Sequence, residues 1–196
     1  RINPQNSSDR LLKKVCDCAK AHNAPIRIGI NYGSVKEEIK KCFPAYEALV
    51  FSAMECVKKI ENFGFYDIVL SVKSSDVLTC IKAYRLLNEK TEYPLHLGVT
   101  EAGDLLTSAV KSSAALGCLL LEGIGDTIRI SITGNPITEV ETAFILLKSL
   151  GLRKGLEIIS CPTCSRTSVD LENLVQKVKT ALTFLKDFPI KVAIMG

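Results

Sequence analysis

This chain has two histidines far apart, and only one Cys-x-x-Cys pair, Cys161 and Cys164. A metal centre built on that pair would need further ligands from elsewhere. No apolar run approaches the roughly 20 residues of a membrane-crossing helix, so no membrane partner is expected. The start lacks the charged, apolar and small-residue succession of a signal peptide. Aromatic residues make up 6%, and the net charge of +4 comes from Lys and Arg interspersed with Asp and Glu. That argues against a nucleic-acid stripe and leaves a small anion as the better match for scattered basic residues. No glycine-rich dinucleotide fingerprint or phosphate-binding P-loop follows any apolar run. Low complexity and exact repeats are absent.

What remains is a chain of 196 residues, 47% hydrophobic, enough for one domain or one with a small appendage. Eight cysteines without an export signal fit small buried thiols in a reducing cytosol. Cys16, Cys56, Cys80 and Cys118 lie in apolar-periodic segments. The chain begins at Arg1 without Met and ends on the apolar run Ile190–Gly196, as an internal fragment would.

Short β-branched runs alternate with longer amphipathic stretches. Strands are expected at Arg1–Pro4, Ile26–Asn31, Asp67–Lys73, Leu95–Thr100, Thr127–Thr133 and Leu156–Ser160, with a terminal strand at the end. Helices are expected around Leu11–Ala19, Tyr46–Asn62, Val77–Asn88, Ser108–Leu121, Thr138–Leu150 and Asp170–Lys186. Repeated strand–helix units imply α/β architecture with a parallel sheet, either a (β/α) barrel or an open doubly wound sheet. The polar residues closing the strands, Asn3, Asn31, Lys73, Glu101 and Ser131, favour a barrel, whose sites lie at the carboxyl ends of its strands.

Several residues carry candidate chemistry. Asn31 and Ser34 bracket a turn that is either ordinary or a donor of hydrogen bonds to a ligand oxygen. Lys73 ends a buried run, where it meets an anion, acts as base or nucleophile, or snorkels to solvent. His96 alternates with Gly98 and Thr100 and reads first as a satisfied core residue. Glu101 leaves a carboxylate at a strand end for a hydroxyl or a proton. Arg129 and Ser131 share one face of an apolar strand; a guanidinium there favours phosphate or carboxylate, with a structural ion pair as the alternative. Cys161-Pro162-Thr163-Cys164 suits a metal or cluster better than a dithiol switch, and spacing alone leaves zinc and iron–sulfur open.

Eight strings carry a resemblance. They are Arg-Ile-Asn-Pro (1–4), Arg-Ile-Gly-Ile-Asn-Tyr-Gly-Ser (27–34), Asp-Ile-Val-Leu-Ser-Val-Lys-Ser-Ser-Asp (67–76) and Pro-Leu-His-Leu-Gly-Val-Thr-Glu-Ala-Gly (94–103). Then come Ala-Val-Lys-Ser (109–112), Glu-Gly-Ile-Gly-Asp-Thr-Ile-Arg-Ile-Ser (122–131), Ser-Cys-Pro-Thr-Cys-Ser-Arg-Thr (160–167) and Val-Ala-Ile-Met-Gly (192–196). In this order the chain resembles the 4-hydroxy-3-methylbut-2-enyl diphosphate synthases, iron–sulfur enzymes of the non-mevalonate (MEP) isoprenoid pathway.

The resemblance implies the C-terminal part of a (β/α)8 TIM-type barrel over residues 1–153. It implies the start of a small α+β, sulfite-reductase-like iron–sulfur domain over 154–196. The implied reaction is reductive ring opening and dehydration of 2-C-methyl-D-erythritol 2,4-cyclodiphosphate, taking up two electrons and two protons and releasing water. Ferredoxin or flavodoxin would supply the electrons, in the bacterial cytosol or plastid stroma, and the full-length enzyme would be a homodimer. Arg1, Lys73 and Arg129 would meet the diphosphate; Asn3, Asn31, Ser34, Thr100 and Ser131 would hydrogen-bond substrate oxygens. Glu101 would meet substrate hydroxyls as the catalytic group, and Cys161 and Cys164 would ligate a [4Fe–4S] cluster.

The third cysteine and a glutamate ligand are expected in a Cys-x-Val-Asn-Gly-Pro-Gly-Glu segment beyond Gly196, so these 196 residues alone are expected to be inactive. Gln5 and Ser165 stand where the family usually has glycine, and Gln5 would alter its turn if that turn needs positive φ. Two alternatives stand beside this reading. One is a non-catalytic or zinc-binding (β/α) protein whose cysteine pair is structural and whose cations bind another phosphorylated ligand. The other, a thioredoxin-like dithiol protein, sits poorly with the barrel-like organisation.

Overall fold

The computed structural model describes residues 1–161 and 169–195. Cys164 and Ser165 lie outside the described residues. The chain divides into two compact units, Arg1–Ala143 and Phe144–Gly196.

The first unit alternates helices and strands. They are α1 (Asp9–Ala21), β1 (Ile26–Asn31), α2 (Glu37–Cys42), α3 (Ala45–Glu61), β2 (Ile68–Lys73), α4 (Val77–Lys90), β3 (His96–Leu97), α5 (Leu105–Leu121) and β4 (Thr127–Ile128). The next helix, α6 (Pro136–Ser149), runs past the boundary at Ala143. All strand pairings are parallel: Ile2 bridges Ile28, β1 pairs with β2, Leu70 bridges Leu95, and β3 pairs with β4. Spatial order therefore follows chain order, without the reversal of a doubly wound sheet.

Period-two alternation sorts each strand. Ile26, Ile28 and Ile30 of β1 and Ile68, Leu70 and Val72 of β2 are buried. Opposite them α3 buries Leu49, Ala53, Cys56, Val57 and Ile60, one apolar stripe at helical spacing. Each fully buried leucine or isoleucine contributes about 1.5–3 kcal/mol, so this layer fixes the strand register. The other face is polar. It carries Arg27, Gly29 and Asn31, then Ser71 and Lys73, then His96, Gly98 and Thr100, and finally Arg129 and Ser131.

Helix starts are capped by short polar side chains. Ser8 accepts from Leu11 N, Asp76 from Thr79 N at 2.7 Å, and Asp104 from Leu106 N and Thr107 N at 2.9 and 3.1 Å.

The structure departs from the sequence expectations at several edges. Only Ile2 of the first run pairs, because the chain turns into a 3-10 helix at Pro4–Asn6. Gln5 sits within that turn and is not at positive φ, so the conformational objection to it does not arise. The short α2 was not anticipated; six residues are too few to show a helical period. The runs Leu95–Thr100 and Thr127–Thr133 are regular strand only at His96–Leu97 and Thr127–Ile128. Beyond those, single bonds continue the pairing: Arg129 N to Leu97 O at 2.9 Å and Thr100 N to Ser74 O at 3.1 Å. The helix expected at Ser108 begins one turn earlier, behind the Asp104 cap.

The second unit contains β5 (Glu157–Ser160), α7 (Leu171–Ala181) and β6 (Lys191–Ile194). α7 is shorter than expected, giving way to a 3-10 turn at Thr183–Leu185. β5 and β6 pair in parallel from Glu157↔Lys191 to Ser160↔Ile194. Among the described residues, its buried apolar side chains are Leu146, Leu171 and Ile194. No helix among the described residues is long and apolar enough to cross a membrane.

Candidate anion-binding site

The carboxyl ends of the first unit's strands surround a cavity of about 210 Å³. Its lining is Arg1, Arg27, Gly29, Ile30, Asn31, Ser71, Lys73, Thr100, Arg129 and Ser131. Six of these were singled out in the sequence: Arg1, Asn31, Lys73, Thr100, Arg129 and Ser131. Arg27 and Ser71 were not. Both sit mid-strand between apolar neighbours, where a strand-end search does not look. The signal was the alternation itself, which sets Arg27 with Gly29 and Asn31, and Ser71 with Lys73.

Among the described residues four cations line this cavity and no carboxylate does. Two glycines make room for them. A Cβ on Gly29 would stand 2.5 Å from Arg1 Nε, and one on Gly98 would stand 3.1 Å from Lys73 Nζ. Arg1 crosses the strand and donates to Gly29 O at 3.0 Å. Arg129 approaches Glu139 only to 3.8 Å, and that carboxylate already accepts from Ile132 N at 2.9 Å. The structural ion pair considered for Arg129 is therefore loose, and the guanidinium keeps donors to spare.

Crowded like charge shows in the protonation equilibria. Burial, then Arg129, Arg27 and Arg1, hold the Lys73 ammonium down to about 8. Burial, then Arg1 and Arg129, lower Arg27, which nonetheless stays charged. Burial, then Arg27, Lys73 and Arg129, push His96 down to about 4, leaving it neutral at pH 7. Its Nδ1 lies 2.8 Å from Thr127 Oγ1, while Nε2 is buried without a partner among the described residues. His96 is thus only half satisfied, where the sequence pointed to a satisfied core residue.

At α4 and α5 the helix starts are already matched by carboxylates of their own. The carboxylates of Asp76 and Asp104 occupy the first-turn N–H groups of α4 and α5. Side-chain cations hold the site instead. The rim is braced by Ser108 Oγ donating to Ser131 O at 2.7 Å and by Thr133 N donating to Gly103 O at 2.9 Å.

Asn3, Ser34 and Glu101 are not among the lining residues. The Asn3 side chain accepts from Gln5 N at 3.2 Å, capping the 3-10 turn. Ser34 Oγ donates to Asn31 O at 2.8 Å, serving the turn after β1. Glu101 is exposed beside Thr100 and adopts φ 53°, a left-handed conformation that costs a non-glycine residue free energy and clusters at functional loops.

In the second unit Cys161 is exposed, immediately after β5, and its N–H donates to Ile194 O at 3.1 Å. A shallow cavity of about 240 Å³ borders it, lined also by Ser160, Leu171, Glu172, Val175 and Gln176. Among the described residues no three His, Cys, Asp or Glu side chains come close enough together to hold a metal ion.

The first unit thus defines a parallel α/β protein with a cation-lined cavity at its carboxyl strand ends. The profile described as the GcpE TIM-barrel domain matches residues 1–144, and that of the GcpE protein C-terminal domain matches residues 157–196. The chain belongs to the GcpE family. It is 49% identical over 203 residues to a protein of Desulfotalea psychrophila, 51% over 200 to one of Lawsonia intracellularis, and 49% over 196 to one of Thermotoga maritima. Each match covers the whole of this chain and 56, 55 and 56% of the relative, so the chain spans about half the length of these curated relatives. All three relatives bear the name 4-hydroxy-3-methylbut-2-en-1-yl diphosphate synthase (flavodoxin).

Proposed function

We propose that this chain is the substrate-binding part and the beginning of the cluster domain of a 4-hydroxy-3-methylbut-2-enyl diphosphate synthase. The reaction is reductive ring opening and dehydration of 2-C-methyl-D-erythritol 2,4-cyclodiphosphate, with flavodoxin as electron donor. The observation that carries this reading is the four-cation cavity without a lining carboxylate. Such a site is self-repelling until a multiply charged anion enters, and a diphosphate matches it in charge and in its many acceptor oxygens.

Residues 1–153 are read as the C-terminal portion of a (β/α)8 barrel, in keeping with strand order that follows chain order. Arg1, Arg27, Lys73 and Arg129 bind the diphosphate. Asn31, Ser71, Thr100 and Ser131 donate to or accept from its oxygens and the sugar hydroxyls. Asn3 and Ser34 act one step back, by holding the two turns that bring Arg1 and Asn31 to the cavity. Glu101, at the rim, receives or supplies the proton at a substrate hydroxyl, and its left-handed backbone aims it from a tight turn.

Residues 154–196 are read as the start of a sulfite-reductase-like domain that holds a [4Fe–4S] cluster. Cys161 fits that group in donor chemistry: it is a soft, exposed thiol at a strand end. The parallel register sets it beside Met195, so chain continuing from β6 would enter the same sheet edge. Cys164 would be the second ligand, and a cysteine and a glutamate beyond residue 196 the others. When bound, the cluster would supply the two electrons of the ring opening. The full-length enzyme is read as a cytosolic or stromal homodimer.

Calorimetric titration of the chain with the cyclic diphosphate tests this reading. Binding that weakens steeply with salt is expected, against none for unphosphorylated 2-C-methyl-D-erythritol. Equal binding of the two sugars would sink it.

A further inference from the structure

The cavity's four cations are not equivalent. Three are guanidiniums, which do not release a proton in proteins; the fourth is the Lys73 ammonium. If crowded like charge is to relax, Lys73 is where a proton can leave. We propose that occupation of this cavity by a fully ionised diphosphate is coupled to uptake of a proton from solvent at Lys73 Nζ. This rests on the reading of the cavity as a diphosphate site.

The surroundings of Lys73 support the coupling from every side. Its half-buried chain lies across Gly98, where an added Cβ would stand 3.1 Å from Nζ and 3.2 Å from Cε. Arg1 faces it from the N-terminal segment, Arg27 from β1 and Arg129 from the end of β4. His96 on β3 adds no charge near neutrality. From α4 it meets Cys80, a thiol that burial pushes up to about 12, and the same helix carries Tyr84, whose phenol burial raises well above its ordinary value.

Among the described residues no carboxylate lines the cavity, and the one that pairs with a lining cation, Glu139, stands 3.8 Å from Arg129. Asp76 is spent on the Thr79 N–H, Glu139 on the Ile132 N–H, and Glu101 is exposed outside the lining. Among the described residues Lys73 makes no ion pair. The unliganded ammonium, held down to about 8, is therefore largely neutral above that pH. A diphosphate reverses the sign of the local field and restores the charged form: Lys–NH2 takes one proton from buffer and becomes Lys–NH3⁺.

The cyclic diphosphate suits the measurement because each of its phosphorus atoms carries one ester and one anhydride bond, and so has no second ionisation near neutrality. Titration calorimetry at pH 8.5 in HEPES and in Tris, which differ in ionisation enthalpy, reads the protons exchanged. Most of a proton should be taken up at pH 8.5, and much less at pH 7. Lys73→Arg, which keeps the charge and cannot titrate, should still bind but lose the buffer dependence, while His96→Asn should retain it. The Lys73 13Cε resonance gives a reading that needs no variant: its midpoint should rise by about two pH units on saturation. Binding with equal heats in both buffers, or an unmoved midpoint, overturns the coupling alone. Absence of any binding overturns the diphosphate reading and the coupling with it.

Discussion

In Arg1–Ala143 the polar side chains stand on a buried frame. Ile28, Leu70 and Leu97, all fully buried, hold the strands from behind while Arg27, Ser71 and His96 project from the opposite face. In Phe144–Gly196 the candidate ligand Cys161 is exposed, and β5 is backed by far less buried apolar surface. Phe184, Phe188 and Leu174 lie open to water instead. Like charges can be brought together only where packing outweighs their repulsion. The cationic cavity is therefore affordable in the first unit, whereas an exposed cysteine side chain such as Cys161 asks for no such support.

The contrast can be broken at its base. Leu70→Ala removes a fully buried side chain and should cost about 2–5 kcal/mol of unfolding free energy. Leu174→Ala, at an exposed position, should cost less than about 1 kcal/mol. Urea titration checks both, and comparable losses would erase the distinction between the units. Ligand binding sharpens it next. Arg27→Ala or Arg129→Ala removes charge-assisted hydrogen bonds of about 1.5–3 kcal/mol, a roughly ten- to hundredfold loss of affinity for the cyclic diphosphate. Cys161→Ser should leave that affinity within about twofold, by the same calorimetry.

Acid probes the frame more gently. Folded His96 titrates at about 4, below its ordinary 6.5, so between those values the unfolded chain holds more protons. Stability should fall as pH drops through this window, with the loss complete below about 4. Because His96 is only partly shielded from water, the effect is on the order of 1 kcal/mol. His96→Asn should flatten that part of a stability–pH profile, and an unchanged slope would remove His96 from the account. Smallest is Glu101→Gly, which relieves the left-handed strain and should stabilise the fold by up to about 1 kcal/mol. A thermal melt that shows it less stable would mean that the side chain, not the backbone, decides that turn.

The sequence revealed one face of each strand more readily than the other. Ile26, Ile28 and Ile30 announce a buried strand because apolar alternation is a strong signal. Lys73, Thr100 and Ser131 could be read as strand ends because a polar residue closes each run. Arg27 was hidden by the same apolar neighbours that made the strand obvious. For Asn3 and Ser34 the residue type could not say whether the oxygen would turn inward to its own backbone; the hydrogen bonds to Gln5 N and Asn31 O decide that. Strand lengths at β3 and β4 depend on neighbouring chain, which a single run does not contain.

The aspartates that start α4 and α5 have a wider consequence. Because each helix is stabilised by its own carboxylate, neither depends on a bound anion to hold its first turn. Scaffold and recognition are separable as a result. Charges around the cavity can be exchanged one by one, through drift or engineering, to follow a different anion, while the helices that back the strands stay as they are.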